Sequence, residues 1–281
     1  MQDRRSPRRT RRPSDFTRRS LTPERARAVS TVSLQLARFT EDDRADWLAS
    51  ALPILSVSEQ ERLAATSASD VRTQHAIGRA VLRLIGAHAS GRHPKLLAVT
   101  VSDAGKPQLR DVPDLQVSVA HTGRVVVVAA SLAALVGVDI EPAVAAATRQ
   151  RRLAERLFSD AEVASLHDMP DAVLSDWFSS AWTIKEAVGK ALGVGMIPAL
   201  SGAVVEREPD GFTLAAVWTG PPANSWTVHQ LIAPDGGEKI AVALPAAGVI
   251  LESVSQLTLE VFSEACSRAE VLESDRPSAN R

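Results

Sequence analysis

The run from Val125 to Val138 is the longest nearly apolar stretch of the chain, fourteen residues broken only by Ser131. It is shorter than the ~20 residues a membrane span requires, and it suits two buried strands around a turn. The run ends in VGVDIEP, Val136 to Pro142, where Asp139 and Glu141 flank Ile140. Strand side chains alternate, so the two acids face one side while Val138 and Ile140 face the other. Taken alone, such a pair reads as the end of a strand running out into solvent.

Around that run the chain reads as two α+β halves. EDDRADWLASAL and the long stretch SEQERLAATSASDVRTQHAIGRAVLRLIGAHA read as helices, with Ile77, Val81, Leu84 and Ile85 at helical spacing in the second. Strands LLAVTVSD and LQVSVAH flank the turn AGKPQL, and VVVVAAS and LVGVDIE complete the group. The pattern then restarts. TRQRRLAERLFSDAEVASLHDMP is helical, with SDAE as a capped start, and AVLSDWFSSAWTIKEAVGKALGVG is a helix ending near Gly193 or Gly195. GAVVERE, GFTLAAVW, SWTVHQLIA and KIAVALP supply the second set of strands. Helices followed by strands therefore occur twice, at 41–141 and 148–245, without a clear repeat at the level of residues. The expected organisation is a tail over 1–30, halves over 31–136 and 137–247, and an extension over 248–281.

Charge and cysteine content narrow the function classes. The first thirty residues carry ten Arg against three acids, +7, which leaves −8 of the total −1 for the rest. That tail mixes Arg with Ser, Thr and Pro without apolar periodicity and is expected to be disordered, as is the end from about Glu270. It holds no apolar signal-peptide core. The lone Cys266 excludes a disulfide framework and a multi-cysteine zinc site, and fits an intracellular, cytoplasmic protein.

The second informative stretch is WTIKEAVGK. Trp182, Glu186 and Lys190 recur every four residues and share a helical stripe, with Lys185 to its side. A surface Glu186–Lys190 ion pair would account for it in isolation. The chain, however, has five lysines against 27 arginines, and Lys106, Lys185 and Lys190 all lie in the stretches singled out here. A compact point charge for phosphate is one reason to keep a lysine where arginine is the habit.

The ordered set AGKPQL (Ala104 to Leu109), VSVAHTGR (Val117 to Arg124), VGVDIE and WTIKEAVGK resembles the 4′-phosphopantetheinyl transferases, in the larger monomeric, surfactin-synthetase-activating class. The resemblance spans roughly residues 50 to 245, and the D-x-E and W-x-x-K-E-A-x-x-K elements are its specific part. It implies a pseudo-twofold α+β fold whose halves hold coenzyme A and Mg²⁺ between them. It further implies transfer of phosphopantetheine from coenzyme A to a serine of an apo carrier protein or carrier domain of a fatty acid, polyketide or nonribosomal peptide synthase, by a monomer acting away from membranes and nucleic acid. Asp139, Glu141 and Glu186 match the family's metal acids; Glu186 doubles as base and Lys190 steadies the leaving phosphate. His121, Lys106, Lys185 and Thr122 match positions near coenzyme A, and Arg72 and Arg79, with Arg62 third, are candidates for its 3′-phosphate. One departure stands out: Ala120 occupies the place of the family's usual serine before the histidine.

Two other classes compete with this reading. A different Mg²⁺-dependent phosphate-ester hydrolase would use the same three acids, although G-x-x-x-x-G-K-[ST], H-E-x-x-H and G-x-S-x-G elements are absent. A non-catalytic nucleic-acid-binding protein would use the Arg-rich arm, against an acidic body with 4% aromatic residues and no tyrosine.

Overall fold

A computed structural model describes residues 30–132, 134–142, 147–167, 169–207, 214–220, 224–245 and 249–271. The expected disorder of both tails falls outside these residues, except that Ser30 and the stretch to Val271 are structured. The fold is α+β in four layers, helix, sheet, sheet, helix.

The first sheet has the order β11-β1-β5-β4, made by β1 (Ser30–Arg38), β4 (Leu115–Thr122), β5 (Val125–Leu132) and β11 (Val249–Leu257). A separate small hairpin pairs β2 (Val99–Val101) with β3 (Pro107–Leu109). The second sheet runs β6-β10-β9-β8-β7, from β6 (Gly137–Glu141) through β10 (Lys239–Pro245), β9 (Asn224–Ile232) and β8 (Leu214–Trp218) to β7 (Ala203–Arg207). Val125, Val127 and Ala129 of β5 pack between the sheets with Val138, Ile140 and Val242. Val126 and Val128 point the other way, onto Ile77 and Val81 of α3 (Ser69–Ser90). Both faces of β5 are covered, which is why its sequence is a continuous apolar run instead of an alternating one.

The halves repeat in detail. In each, three strands share one antiparallel order, β1-β5-β4 and β6-β10-β9. The long helices α3 and α6 (Asp171–Leu192) are each 22 residues and each stop at a left-handed glycine, Gly91 at φ 66° and Gly193 at φ 71°. A short helix with a Ser-x-x-Glu capping box precedes each: α2 (Val57–Ala64) on Ser56 and Glu59, and α5 (Asp160–Ser165) on Ser159 and Glu162. The box glutamate then reaches the long helix. Glu59 Oε2 lies 2.7 Å from Arg83 Nη2, and Glu162 Oε2 lies 2.9 Å from Lys185 Nζ. Each cation also donates to two carbonyls beyond its helix, Pro94 and Leu97 for Arg83, Leu200 and Ala203 for Lys185. A buried charge so fully paired holds three segments in one arrangement.

Three features depart from the sequence expectation. The stretch 58–89 is two helices and not one: α2 ends at Ala64 and α3 begins at Ser69, because the Ser and Thr hydroxyls at 66–69 favour turns and helix starts over helix interiors. β1 was not anticipated. The residues after 248 form β11, parallel to β1, and α8 (Leu259–Val271), whose Phe262 and Cys266 enter the core of the first half beside Trp47 of α1 (Arg44–Ala51). The remaining helices are α4 (Ala147–Leu157) and α7 (Met196–Gly202). Among the described residues no helix is long and apolar enough to cross a membrane.

Candidate active site at the seam of the two halves

The edge strands β4 and β6 meet at the seam, where the Val138 N–H donates to Ser118 Oγ at 3.0 Å. On the other face of β6 lies α6, and Gly137 is what lets it approach: a Cβ there would stand 1.8 Å from the carbonyl oxygen of Ala187. Strand alternation turns Val138 and Ile140 into the core between the sheets. Asp139 and Glu141 are thereby turned toward α6. The stripe of Trp182, Glu186 and Lys190 faces them.

Within this group Lys190 Nζ lies 2.6 Å from Asp139 Oδ1. The helical Glu186–Lys190 ion pair that the spacing allowed is not formed; the lysine is taken by the strand. The Trp182 side chain hydrogen-bonds Glu141, necessarily as donor because an indole N–H is the only polar hydrogen it has. Asp139 Oδ2 and Glu186 Oε1 are buried and have no partner.

The carboxyls titrate high. Burial raises Asp139, opposed by the Lys190 ammonium. Burial pushes Glu141 up to about 7, helped by the charges of Asp139 and Glu186. Glu186 is likewise pushed up to about 7, by burial and then by Asp139. No trio of His, Cys, Asp or Glu among the described residues is already closed into a metal-holding group. Lys190 partly does the neutralising in that arrangement. The donor chemistry nonetheless fits a hard dication: two orphaned carboxylate oxygens and three acids that resist ionising together are what such an ion satisfies.

Beside this group a cavity of about 290 Å³ opens in the first half, lined in part by Arg62, His75, Arg79, Gly105, Pro107 and His121. His121, at the end of β4, stands edge-on to His75 of α3 with ring centroids 5.3 Å apart. Lys106, on the turn between Gly105 and Pro107, reaches across to the second half and donates to the Ala191 carbonyl at 2.7 Å. Burial lowers its pKa to about 8. The last turn of α6 offers unpaired carbonyls, so a cation is well placed there.

Three residues expected near coenzyme A lie apart from this cavity. Lys185 has no exposed side-chain surface; its ammonium is used up by Glu162 and two carbonyls, with the Phe158 ring centroid 4.6 Å away. It is corrected to a structural residue. Arg72 donates its Nε to the Thr66 carbonyl at 3.0 Å and so ties α2 to α3 instead of lining the cavity. Thr122 shares the strand face of Ala120, which packs between the sheets, opposite to His121.

The segment that carries the acids and α6 is also where the chain matches known proteins. Residues 135–244 match the model of the 4′-phosphopantetheinyl transferase superfamily. A 4′-phosphopantetheinyl transferase of Bacillus subtilis is 27% identical over 169 residues, 56% of this chain and 74% of that protein. The superfamily match covers 110 of the 281 residues, and over it the chain is similar to the 4′-phosphopantetheinyl transferase superfamily. Two further relatives match a larger share of the chain. The 4′-phosphopantetheinyl transferase HetI of Nostoc sp. is 28% identical over 208 residues, 68% of this chain and 84% of its own length. The L-aminoadipate-semialdehyde dehydrogenase-phosphopantetheinyl transferase of Eremothecium gossypii is 31% identical over 183 residues, 61% and 63%.

Sequence reasoning missed His75, Glu59 and the role of Trp182. Glu59 had a signal, the box Ser56-Val57-Ser58-Glu59, which matches the SDAE box noted in the second half. His75 had none; it sits outside every motif.

Proposed function

We propose that this chain transfers 4′-phosphopantetheine from coenzyme A to a serine hydroxyl of an apo carrier protein or carrier domain, releasing adenosine 3′,5′-bisphosphate. The observation that carries the reading is the facing of Asp139 and Glu141 on β6 by Glu186 and Lys190 on α6, with two carboxylate oxygens left unpaired. The D-x-E strand and the W-x-x-K-E helix of a transferase superfamily thus converge on one point.

Asp139, Glu141 and Glu186 would hold a Mg²⁺ ion, which supplies charge neutralisation to the donor's pyrophosphate. Trp182 fixes the carboxylate of Glu141, and Gly137 fixes the distance between strand and helix. Glu186 faces the same point from α6 and is the carboxylate suited to take the serine proton as the new phosphorus–oxygen bond forms. Lys190 then stabilises the negative charge on the departing adenosine bisphosphate as the pyrophosphate bond breaks. Arg62 and Arg79 line the adjoining cavity with His121 and receive the donor's nucleotide end. Lys106 bridges the halves from the turn whose Gly105 and Pro107 line the cavity.

Chromatography of the reaction mixture tests this. Adenosine 3′,5′-bisphosphate should accumulate only when coenzyme A, an apo carrier and Mg²⁺ are all present. Release that needs no carrier would identify a hydrolase instead.

A further inference from the structure

Lys239 opens β10 directly opposite Glu141 of β6. In an antiparallel pair, opposed side chains leave the sheet on the same side with Cβ atoms about 5 Å apart, so a lysine placed there has the Glu141 carboxylate within easy reach. Among the described residues the two are not ion-paired. The Lys239 ammonium turns instead to α6, where it donates to the Asp176 carbonyl at 2.7 Å, to Asp176 Oδ1 at 2.5 Å and to Ser180 Oγ at 2.8 Å. Ser180 Oγ in turn donates to the same Asp176 carbonyl at 2.9 Å. An ammonium has three hydrogens, and this cradle leaves none for Glu141. The Lys239 side chain is largely buried and that of Asp176 largely exposed, so the ammonium reaches out along α6 to a place where it keeps contact with water.

The cradle decides the charge balance of the acid group. Asp139, Glu141 and Glu186 have one ammonium among them, that of Lys190 on Asp139. With all three acids ionised, two negative charges stand in excess, which is what a dication neutralises. A second ammonium, on Glu141, would cancel one of those charges and occupy a carboxylate oxygen the ion needs.

We infer that Asp176 and Ser180 are positioning residues that hold the Lys239 ammonium away from Glu141 and so keep the acid group open to a divalent cation. The inference rests on the transferase reading for the metal assigned to the three acids. Neither residue is a ligand or a catalytic group; both act through where they put a competing charge.

Titration of the metal-free full chain with Mn²⁺ tests this without requiring turnover. Mn²⁺ takes the same oxygen sites as Mg²⁺, and its unbound fraction is read from its electron paramagnetic resonance signal. Asp176→Ala combined with Ser180→Ala, both compatible with a helix interior, should release Lys239 and raise the Kd for Mn²⁺ about tenfold, well within what a unit charge brought nearer to a dication can cost. Lys239→Met removes the ammonium and should leave the Kd no higher than that of the wild type; added to the double variant, it should restore wild-type affinity. An unaltered Kd in the double variant overturns the inference. So does an equal loss in Lys239→Met, which would make the cradle a brace of α6 on β10 and nothing more. Either result with carrier modification intact leaves the transferase reading standing. The expected pattern in a chain that modifies no carrier supports the inference and refutes the transferase reading. A wild type that binds no Mn²⁺ overturns the inference, and the transferase reading with it only if no carrier is modified.

Discussion

At the scale of single residues, the site is a conflict of like charges. Asp139, Glu141 and Glu186 are all raised, and the Lys190 ammonium is the positive charge that opposes this at each of them. A carboxyl whose folded pKa exceeds its unfolded one contributes stability below the unfolded value and loses it as pH rises through the folded value. For Glu141 and Glu186 that window runs from 4.5 to about 7. Metal-free protein should therefore lose melting temperature across it, and Mg²⁺ should restore more at the alkaline end than at the acid end. Thermal scans with and without Mg²⁺ check this; equal stabilisation at both ends contradicts the clustering. Glu186→Gln should lower kcat by about a thousandfold, the scale of a lost general base, with the fold intact by circular dichroism. That Asp139 and Glu141 share a strand face and that Glu186 and Lys190 share a helical stripe was legible from their spacing; that the two face each other was implied only by the family resemblance. The partner of Lys190 was not legible: helical spacing offered it Glu186, and only the approach of β6 gives it Asp139.

At the scale of elements, the long helices are held by matching devices, capping-box glutamate to buried cation to downstream carbonyls. Glu162→Gln leaves Lys185 buried without its countercharge and should cost about 3–5 kcal/mol, read from denaturant unfolding. Glu59→Gln should do the same to Arg83 in the first half. A loss under about 1 kcal/mol at both would show these charges to be well solvated after all. Gly137→Ala should push α6 off β6 and remove transfer, since the added Cβ would sit 1.8 Å from a backbone oxygen. The repeat escaped sequence reading because it is chemical and not literal: Arg83 stands for Lys185, and the accepting carbonyls lie 11 and 14 residues after the cation in the first half but 15 and 18 after it in the second. Lys185 was misassigned for a related reason, since helical position places it next to Glu186 but gives no sign that its other neighbours are the box glutamate and the start of β7.

At the scale of the whole molecule, the chain closes on itself. β11 and α8 return to the first half, with Phe262 fully buried and its ring centroid 4.9 Å from that of Trp47. Phe262→Ala should cost about 3–5 kcal/mol although it lies far from the acids in sequence, measurable by chemical denaturation. The two-half plan was legible because helix and strand patterns restart after VGVDIEP; the docking of the last segment was not, because parallel pairing over two hundred residues leaves no local trace. The central claim is that the seam between the halves transfers phosphopantetheine. Its most direct test is the intact mass of apo carrier domains, taken as a varied panel, after incubation with the protein, coenzyme A and Mg²⁺. The mass of at least one carrier should rise by one phosphopantetheine with wild type and stay unchanged with Asp139→Ala; no rise on any carrier, or an equal rise with both proteins, contradicts it.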